Sequence, residues 1–260
     1  MTLCNFIYTI TTDFRWWFWQ FGTHPDEYWT SQFLAVVKLG DDYAMVLSHT
    51  LDALPDLSNL NLRDNRLTDR GMAPIIAAVT HNEGCRQILN LNLGENKLDS
   101  EAIHELATFI QQRHCAIKRL GLAKADIDDG EACIFAEALG FNRTITHLDL
   151  SNNLIGGTAE RLVASKMGIS NSVSDAEYDR MLRAQEDDDG KPSCAGIALG
   201  QALRMNGTLR VLNLSWNQLG RISGIEIGHA LGANNSLREL VVSNNSLGDA
   251  GAQLFGDALR

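Results

Sequence analysis

A few short motifs in this 260-residue chain have residue types that bind metal ions in other proteins. His104-Glu105 begins like the zinc-protease motif HExxH, in which two histidines one helical turn apart bind the metal, but residue 108 is a threonine and the second ligand is missing. The acidic runs at 126–130 and 187–190 resemble calcium loops, yet neither supplies oxygen ligands at both ends of the loop. No nucleophile motif such as GxSxG is present. The sequence therefore predicts no metal site, no cofactor and no catalytic residue.

The cysteine pattern indicates the cellular compartment. The chain has five cysteines, an odd number at wide spacing, and no CxxC or CxxH pair. Zinc modules and disulfide frameworks need regular pairs, so we expect reduced thiols and a cytoplasmic, intracellular protein. Residues 1–10 are apolar, but no basic residue precedes Arg15, as a signal peptide would require.

Five Asn-x-Ser/Thr triplets could suggest a secreted glycoprotein. They coincide with the repeat described below, which accounts for them without sugars. The triplets begin at Asn142, Asn206, Asn213, Asn234 and Asn244.

The composition is that of a folded, acidic protein. Hydrophobic residues make up 45% and charged residues 21% of the chain, and 22 Lys and Arg against 32 Asp and Glu give a net charge of −10. Nucleic-acid binding requires concentrated positive charge, and the sequence has no Lys/Arg cluster. No apolar run approaches the roughly 20 residues of a membrane-spanning helix. We therefore expect no nucleic-acid partner and no transmembrane segment.

One pattern recurs along most of the chain. It reads Leu-x-x-Leu-x-Leu, followed at fixed offsets by Asn and a further aliphatic residue, as in Leu57-Leu60-Leu62-Asn65-Leu67. Six matches start 31, 29, 28, 64 and 28 residues apart, so the fourth interval holds one normal unit and about 36 additional residues. Six matches at fixed offsets are far more specific than a single motif. They start at Leu57, Ile88, Ile117, Ile145, Leu209 and Leu237.

Each unit combines two periodicities. In the central x-Leu-x-Leu the leucines alternate with period two and point to one face, which predicts a short strand. Downstream residues such as Leu106 and Ile110 have helical spacing. A strand and a helix within 28 residues cannot bury their apolar faces alone, whereas stacked units can. The predicted fold is an α/β solenoid with a parallel β-sheet inside and helices outside.

The units also have a distinctive sequence. The strand half reads ITHLDLSNNLI at 145–155 and LRVLNLSWNQL at 209–219, and the helical half reads GIALGQALRMNGTL at 196–209. These segments resemble the ribonuclease-inhibitor-like class of leucine-rich repeats, and the resemblance covers about residues 41–260. The class includes ribonuclease inhibitor, the Ran GTPase-activating protein and the repeat domains of NOD-like receptors. It implies a horseshoe with the sheet on the concave face and the helices on the convex face, in a mostly intracellular protein.

An asparagine follows the strand in five of the six units. Its amide can hydrogen-bond to backbone groups where the chain leaves the strand, and we expect a structural ladder of these residues. Ala125 takes this position in the third unit, which predicts a local irregularity near 124–129. The ladder consists of Asn65, Asn96, Asn153, Asn217 and Asn245.

The sequence predicts two regions. Residues 1–40 form an aromatic-rich N-terminal cap or leader, and residues 41–260 form the repeats, namely a half repeat at 41–56 and six units. The first 45 residues hold 12 of the 18 aromatic residues. Three interpretations stay open: a cap that buries these rings, an anchor for a partner or a membrane interface, and a mis-assigned start.

Two further segments are candidates for docking. The insertion at about 156–192 carries the acidic run Glu186–Asp189, and it is either a solvated loop or a functional element. The chain ends within the helix of the last unit without a polar cap, which indicates a fragment or a surface that docks on another subunit. We expect docking through the aromatic N-terminus, the insertion or the uncapped C-terminal end.

Residues between the strand leucines are predicted to face the concave surface. Polar side chains of both signs occur there, together with Trp216, which is costly to leave exposed and is the strongest anchor candidate. The candidate partner-binding residues are Asn59, Asn61, Arg63, Asn90, Asn92, Arg119, Lys124, His147, Asp149, Asn213, Trp216 and Glu239.

The leading functional prediction is a non-catalytic protein-protein interaction scaffold, a subunit or fragment of a larger intracellular assembly with an unidentified protein partner. Two alternatives follow from the resemblance. One is a GTPase-activating or regulatory protein of the Ran GTPase-activating type, in which Arg66 or Arg70 would stabilise phosphoryl charge. The other is a ribonuclease-inhibitor-like tight-binding inhibitor, steered towards a basic target by its acidic charge.

Overall fold

The computed structural model describes residues 40–51, 57–81, 88–157 and 195–258. The predicted aromatic region 1–40 lies outside these residues except for Gly40, and the predicted insertion 156–192 lies outside them except for Gly156 and Gly157. The interpretations of those two segments therefore stay predictions.

Six short strands form one parallel sheet whose spatial order follows the chain from β1 to β6. The strands are β1 (Asn59–Asn61), β2 (Asn90–Asn92), β3 (Arg119–Gly121), β4 (His147–Asp149), β5 (Val211–Asn213) and β6 (Glu239–Val241). Their central residues pair in register across the whole sheet. These residues are Leu60, Leu91, Leu120, Leu148, Leu212 and Leu240. The predicted α/β solenoid with a parallel sheet is confirmed.

Within the described ranges, one helix precedes β1 and one follows each strand. The helices are α1 (Gly40–Thr50), α2 (Asp69–His81), α3 (Ser100–Ile110), α4 (Asp129–Phe141), α5 (Ala195–Met205), α6 (Arg221–Ala233) and α7 (Gly248–Ala258). Each helix packs against the next, so they form a second layer beside the sheet. None of these described helices has the length and apolar character needed to cross a membrane.

The apolar core lies between the sheet and the helices. Leu62 and Leu93, which directly follow β1 and β2, are fully buried and share one cluster with the helix residues Ile103 and Phe135. Burying such a side chain contributes about 1.5–3 kcal/mol. Leu240 in β6 is only partly buried, because β5 is its single strand neighbour among the described residues.

Buried asparagine side chains connect consecutive turns. Asn96 Oδ1 accepts the backbone N–H groups of Asn65 at 3.1 Å and Leu67 at 3.0 Å, both in the preceding unit. Asn96 Nδ2 donates to the carbonyl of Leu62 at 2.8 Å. Each side chain therefore joins two units through backbone groups. Equivalent bonds occur at Asn153, Asn217 and Asn245.

The third unit replaces this bridge with a backbone bond. Ala125 has no amide, and the N–H of Leu98 donates to the carbonyl of Ala125 at 3.2 Å. Asp126 follows with a φ of +60°, but Arg66 has nearly the same conformation beside an asparagine. The pairing of β3 with both neighbours is unchanged. The missing side chain therefore removes the three bonds that an asparagine makes to the preceding unit, and one backbone bond takes their place, while the sheet stays intact.

A second set of asparagines ends the helices. Asn206 is 2% exposed; its Oδ1 accepts the N–H of Leu209 at 2.8 Å, and its Nδ2 donates to the carbonyl of Leu139 in the preceding unit at 2.6 Å. Asn142 and Asn234 make equivalent bonds. Three of the five Asn-x-Ser/Thr triplets therefore begin with an amide that is already bonded to the backbone.

One carboxylate holds the described residues on either side of the insertion. Asp129, 6% exposed at the start of α4, accepts with Oδ1 the N–H groups of Gly156 and Ala195, each at 3.0 Å. Its other oxygen is buried and has no hydrogen-bond partner among the described residues. Ala195 is the first residue of α5, so its N–H group has no partner within that helix, and the Asp129 side chain supplies one. The chain thus returns from the insertion to the place where it left the solenoid.

We expect Asn153→Ala to lower the free energy of unfolding by about 2–4 kcal/mol, because the N–H groups of Ala125 and Ile127 lose their buried acceptor. Urea denaturation followed by circular dichroism measures this change. Asn235→Ala, at an exposed asparagine, is the matched control and should change it by less than about 0.5 kcal/mol. A loss below about 1 kcal/mol for Asn153→Ala would show that the bridges do not couple the units.

Asp129→Ala is expected to destabilise the units around the insertion by about 1–3 kcal/mol, because two buried N–H groups lose their acceptor. Hydrogen–deuterium exchange of peptides covering 150–157 and 195–205 reports this local opening. Asp129→Asn keeps an Oδ1 acceptor and should have less than half the effect. Unchanged exchange in Asp129→Ala would contradict the role of this carboxylate.

Candidate partner-binding surface

The concave side of the sheet forms an open depression of about 460 Å³. Residues on either side of each central leucine line it, because alternate strand residues face opposite sides of a sheet. Val211 and Val241 add apolar surface near one end. Nine of the residues predicted for partner binding line the depression: Asn59, Asn61, Asn90, Asn92, Arg119, His147, Asp149, Asn213 and Glu239.

Local hydrogen bonds orient the side chains at the strand ends. Asn61, Asn92 and Asn213 each accept with Oδ1 the backbone N–H two residues later, at 3.1 Å. Asp149 does the same at 3.0 Å. This bond sets the rotation of each amide and leaves its Nδ2 group without a hydrogen-bond partner among the described residues. At the strand ends the depression therefore presents these three amide donors, with Gly121 and the carboxylate of Asp149 between the second and the third.

A cluster of charges lies beside the first three strands. Glu95 accepts from Nε of Arg63 at 3.0 Å, and Nζ of Lys124 lies 3.7 Å from its other oxygen. The hydrogen bond from Arg63 holds the pKa of Glu95 below its ordinary value of 4.5. The stabilisation is therefore present above this value and is lost as the pH falls through the lowered pKa. Two cations therefore share the Glu95 carboxylate. The sequence places Glu95 and Lys124 at equivalent turn positions of the predicted binding face, but it does not predict that both meet Arg63.

Trp216 occupies the turn after β5 with its side chain 60% exposed and its backbone at a φ of +56°. This left-handed conformation costs a residue with a Cβ atom about 1–2 kcal/mol, and asparagine tolerates it better than a bulky residue. The tryptophan thus buries little of its own surface and occupies an unfavourable backbone conformation. The equivalent residues of the other units are Asp64, Glu95, Lys124, Asn152 and Asn244.

Of the two arginines named by the GTPase-activating alternative, Arg66 lies in the turn before α2 and Arg70 is the second residue of α2. Arg70 pairs with Asp42 at 3.3 Å, and both side chains are largely exposed. Arg66 is exposed with a φ of +55°. This alternative stays a prediction.

The described residues contain little that could perform chemistry. No group of three His, Cys, Asp or Glu side chains among them lies close enough to hold a metal ion. Burial raises the pKa of the Cys115 thiol, which keeps it protonated and unreactive near neutral pH.

Comparisons with known proteins identify the family of the repeats. A family model described as "Leucine Rich repeat" matches residues 54–75, 141–159, 206–227 and 233–256. Ribonuclease inhibitor of Mus musculus is 29% identical over 125 residues, which cover 48% of this chain and 27% of that protein. The chain is a leucine-rich repeat protein of the ribonuclease-inhibitor-like class. The predicted family is thereby confirmed.

Two other relatives of this leucine-rich repeat protein are much longer. "NACHT, LRR and PYD domains-containing protein 5" of Homo sapiens is 26% identical over 147 residues, 46% of this chain and 12% of that protein. "Capping protein, Arp2/3 and myosin-I linker protein 3" of Rattus norvegicus is 24% identical over 184 residues, 69% of this chain and 12% of that protein. The chain therefore spans about an eighth of the length of both.

Trp216→Asn is expected to raise the free energy of unfolding by about 0.5–1 kcal/mol, because asparagine adopts the left-handed conformation with less strain. Urea denaturation measures the difference. Leu212→Asn, at a fully buried strand position, should instead destabilise the protein by more than about 3 kcal/mol. A loss of more than about 1 kcal/mol for Trp216→Asn would show that the tryptophan stabilises the fold.

Proposed function

We propose that this leucine-rich repeat protein is a non-catalytic interaction scaffold whose concave face and adjoining rim bind a protein partner. The observation that carries the proposal is Trp216, which is exposed and strained at a position where asparagine would be easier to accommodate. Strained residues cluster at functional sites, and tryptophan is enriched among the residues that dominate binding energies. An exposed aromatic residue in a strained backbone conformation is therefore the first candidate for a contact with a partner.

The names of the relatives support an interaction role. One relative is named as a linker of capping protein, Arp2/3 and myosin-I, and another as an inhibitor of ribonuclease. Both names describe a protein by the molecules that it contacts. The interaction role, and not the identity of the partner, is what we transfer to this chain.

The size of the concave face limits how a partner can bind. Six strands about 4.8 Å apart and three residues long present roughly 400 Å², about half of what each partner buries in a stable interface. A tight partner must therefore extend onto the rim, where Trp216, Arg63 and Lys124 lie.

The distribution of side chains suggests the chemistry of the partner. Near β1–β3 the surface offers amide donors and the cations Arg119 and Lys124, which suit carboxylates and backbone carbonyls. Near β4–β6 it offers Asp149, Glu239 and Trp216, which suit basic and apolar side chains. We therefore expect a partner with an acidic part and a basic, apolar part.

The proposal includes an intracellular, reducing location, with this chain as one subunit or fragment of a larger assembly. The buried Cys115 is a free thiol, which suits such a compartment. The bonded asparagines at 142, 206 and 234 explain triplets that would otherwise suggest glycosylation and secretion.

Affinity capture with the immobilised protein, quantified by mass spectrometry, tests the proposal. We expect at least one protein to be enriched by the wild type and lost by Trp216→Asn. With that protein purified, Trp216→Asn should weaken binding at least about tenfold, the size expected for a residue central to an interface.

Tyr43→Asn is the matched control, because Tyr43 is a comparably exposed aromatic residue on α1, away from the sheet. It should retain the captured protein. If every protein captured by the wild type is also retained by Trp216→Asn, the concave face and its rim are not the binding surface.

A further inference from the structure

The loops that lead from the helices into β3–β6 carry only positive charge. Residues 111–118, 142–146, 206–210 and 234–238 contain no Asp or Glu, although the whole chain has a net charge of −10. We name the cations in these loops the basic edge. It consists of Arg113, Lys118, Arg143, Arg210 and Arg238.

Stacking brings three of these cations into one row. Lys118, Arg210 and Arg238 each precede the first residue of a strand, at β3, β5 and β6. Backbone bonds join their positions: Arg238 N–H donates to the carbonyl of Arg210 at 2.7 Å, and Arg210 and Lys118 are joined in the same way through Thr146, each bond 2.8 Å. Four neighbouring strands span about 15 Å, which is the length of a four- or five-residue extended segment.

Part of this charge has a structural explanation. Cations near helix C-termini are favourable because the last carbonyls carry partial negative charge. Nη1 of Arg143 donates to the carbonyl of Gly140 at 2.8 Å, and Nη1 of Arg210 donates to that of Ser236 at 2.8 Å. Carbonyl groups carry no net charge, however, and none of the five cations forms an ion pair with a carboxylate within the described residues. The edge therefore keeps its positive charge.

Two large apolar side chains are exposed at the same edge. Phe141 and Met205, the last residues of α4 and α5, are 52% and 49% exposed. Met205 packs against the backbone at Gly140, so the two side chains belong to adjacent helix ends. Met205 lines a depression of about 270 Å³ together with Arg210 and with Arg204, which also pairs with Glu226 at 3.3 Å. The cationic side chain of Arg210 and the apolar side chain of Met205 thus line the same depression.

We propose that the basic edge, together with Phe141 and Met205, is a docking surface for an acidic protein segment that carries an apolar side chain. The carboxylates of such a segment match the row of cations, and its apolar side chain covers surface that is costly to leave in water. A nucleic acid or an anionic membrane fits less well, because a long anionic surface would also face the net charge of −10. A short acidic segment interacts with the edge alone.

Fluorescence anisotropy with the full 260-residue chain tests this inference. The probe is a fluorescein-labelled peptide, Gly-Glu-Glu-Phe-Glu-Glu-Gly, and its control has Gln in place of each Glu. We expect a dissociation constant below about 1 mM for the acidic peptide and at least about tenfold weaker binding of the control. Arg210→Gln combined with Arg238→Gln should weaken acidic-peptide binding about tenfold, and Arg238→Gln alone about threefold.

Arg66→Gln is the matched charge control, because it removes one cation from the opposite edge. It should change binding by less than about twofold. Arg238 is exposed and makes no side-chain bond within the described residues, so its single variant remains informative if the double variant does not fold. Three outcomes overturn the proposal: equal binding of both peptides, equal effects of Arg238→Gln and Arg66→Gln, or tighter binding of a 20-nucleotide single-stranded DNA or of phosphatidylserine vesicles than of the acidic peptide.

Discussion

Each unit of this solenoid has an apolar face that only the neighbouring units can cover. The strand leucines gain their burial energy in the stack, where they lie in register from β1 to β6. The asparagine bridges obey the same constraint, because their partners are backbone groups of the preceding unit. Stability in this protein is therefore a property of pairs of units and not of single elements.

Because of this dependence, stacking restricts the residue type at some positions of each unit and leaves it unrestricted at others. Leucines that face the helices cannot change without opening the core, whereas the residues between them face solvent and can vary. The turn after each strand is an intermediate case. Stacking imposes a left-handed backbone on the turn residue, but packing places little restriction on which side chain it carries. Trp216 shows that the choice at one turn runs against backbone preference.

The common direction of the helices also orders the charge. The N-termini of the seven described helices lie at one edge of the sheet and their C-termini at the other, because the described strand–helix units share one orientation. Acidic residues such as Asp99 and Asp128 cap helices at the first edge, and cations such as Arg143 contact the last carbonyls at the second. The dipole of each helix favours this arrangement, and stacking repeats it. A protein with excess negative charge therefore has one edge of positive charge.

The sequence by itself determined the repeat, the α/β class and the strand residues that line the depression, because period two and fixed offsets are local properties of the chain. The helix-capping role of Asn206 could also have been predicted, because an asparagine recurs at the same point of the neighbouring units, at Asn142 and Asn234. Only the tertiary structure decided which distant groups meet. Asp129 holds Gly156 and Ala195 across the insertion, and Glu95 joins cations of two other units. These side-chain contacts depend on how closely one unit approaches the next. The left-handed backbone at Trp216 depends on the turn that stacking imposes. The sequence has no periodic pattern that reports either the contacts or the conformation.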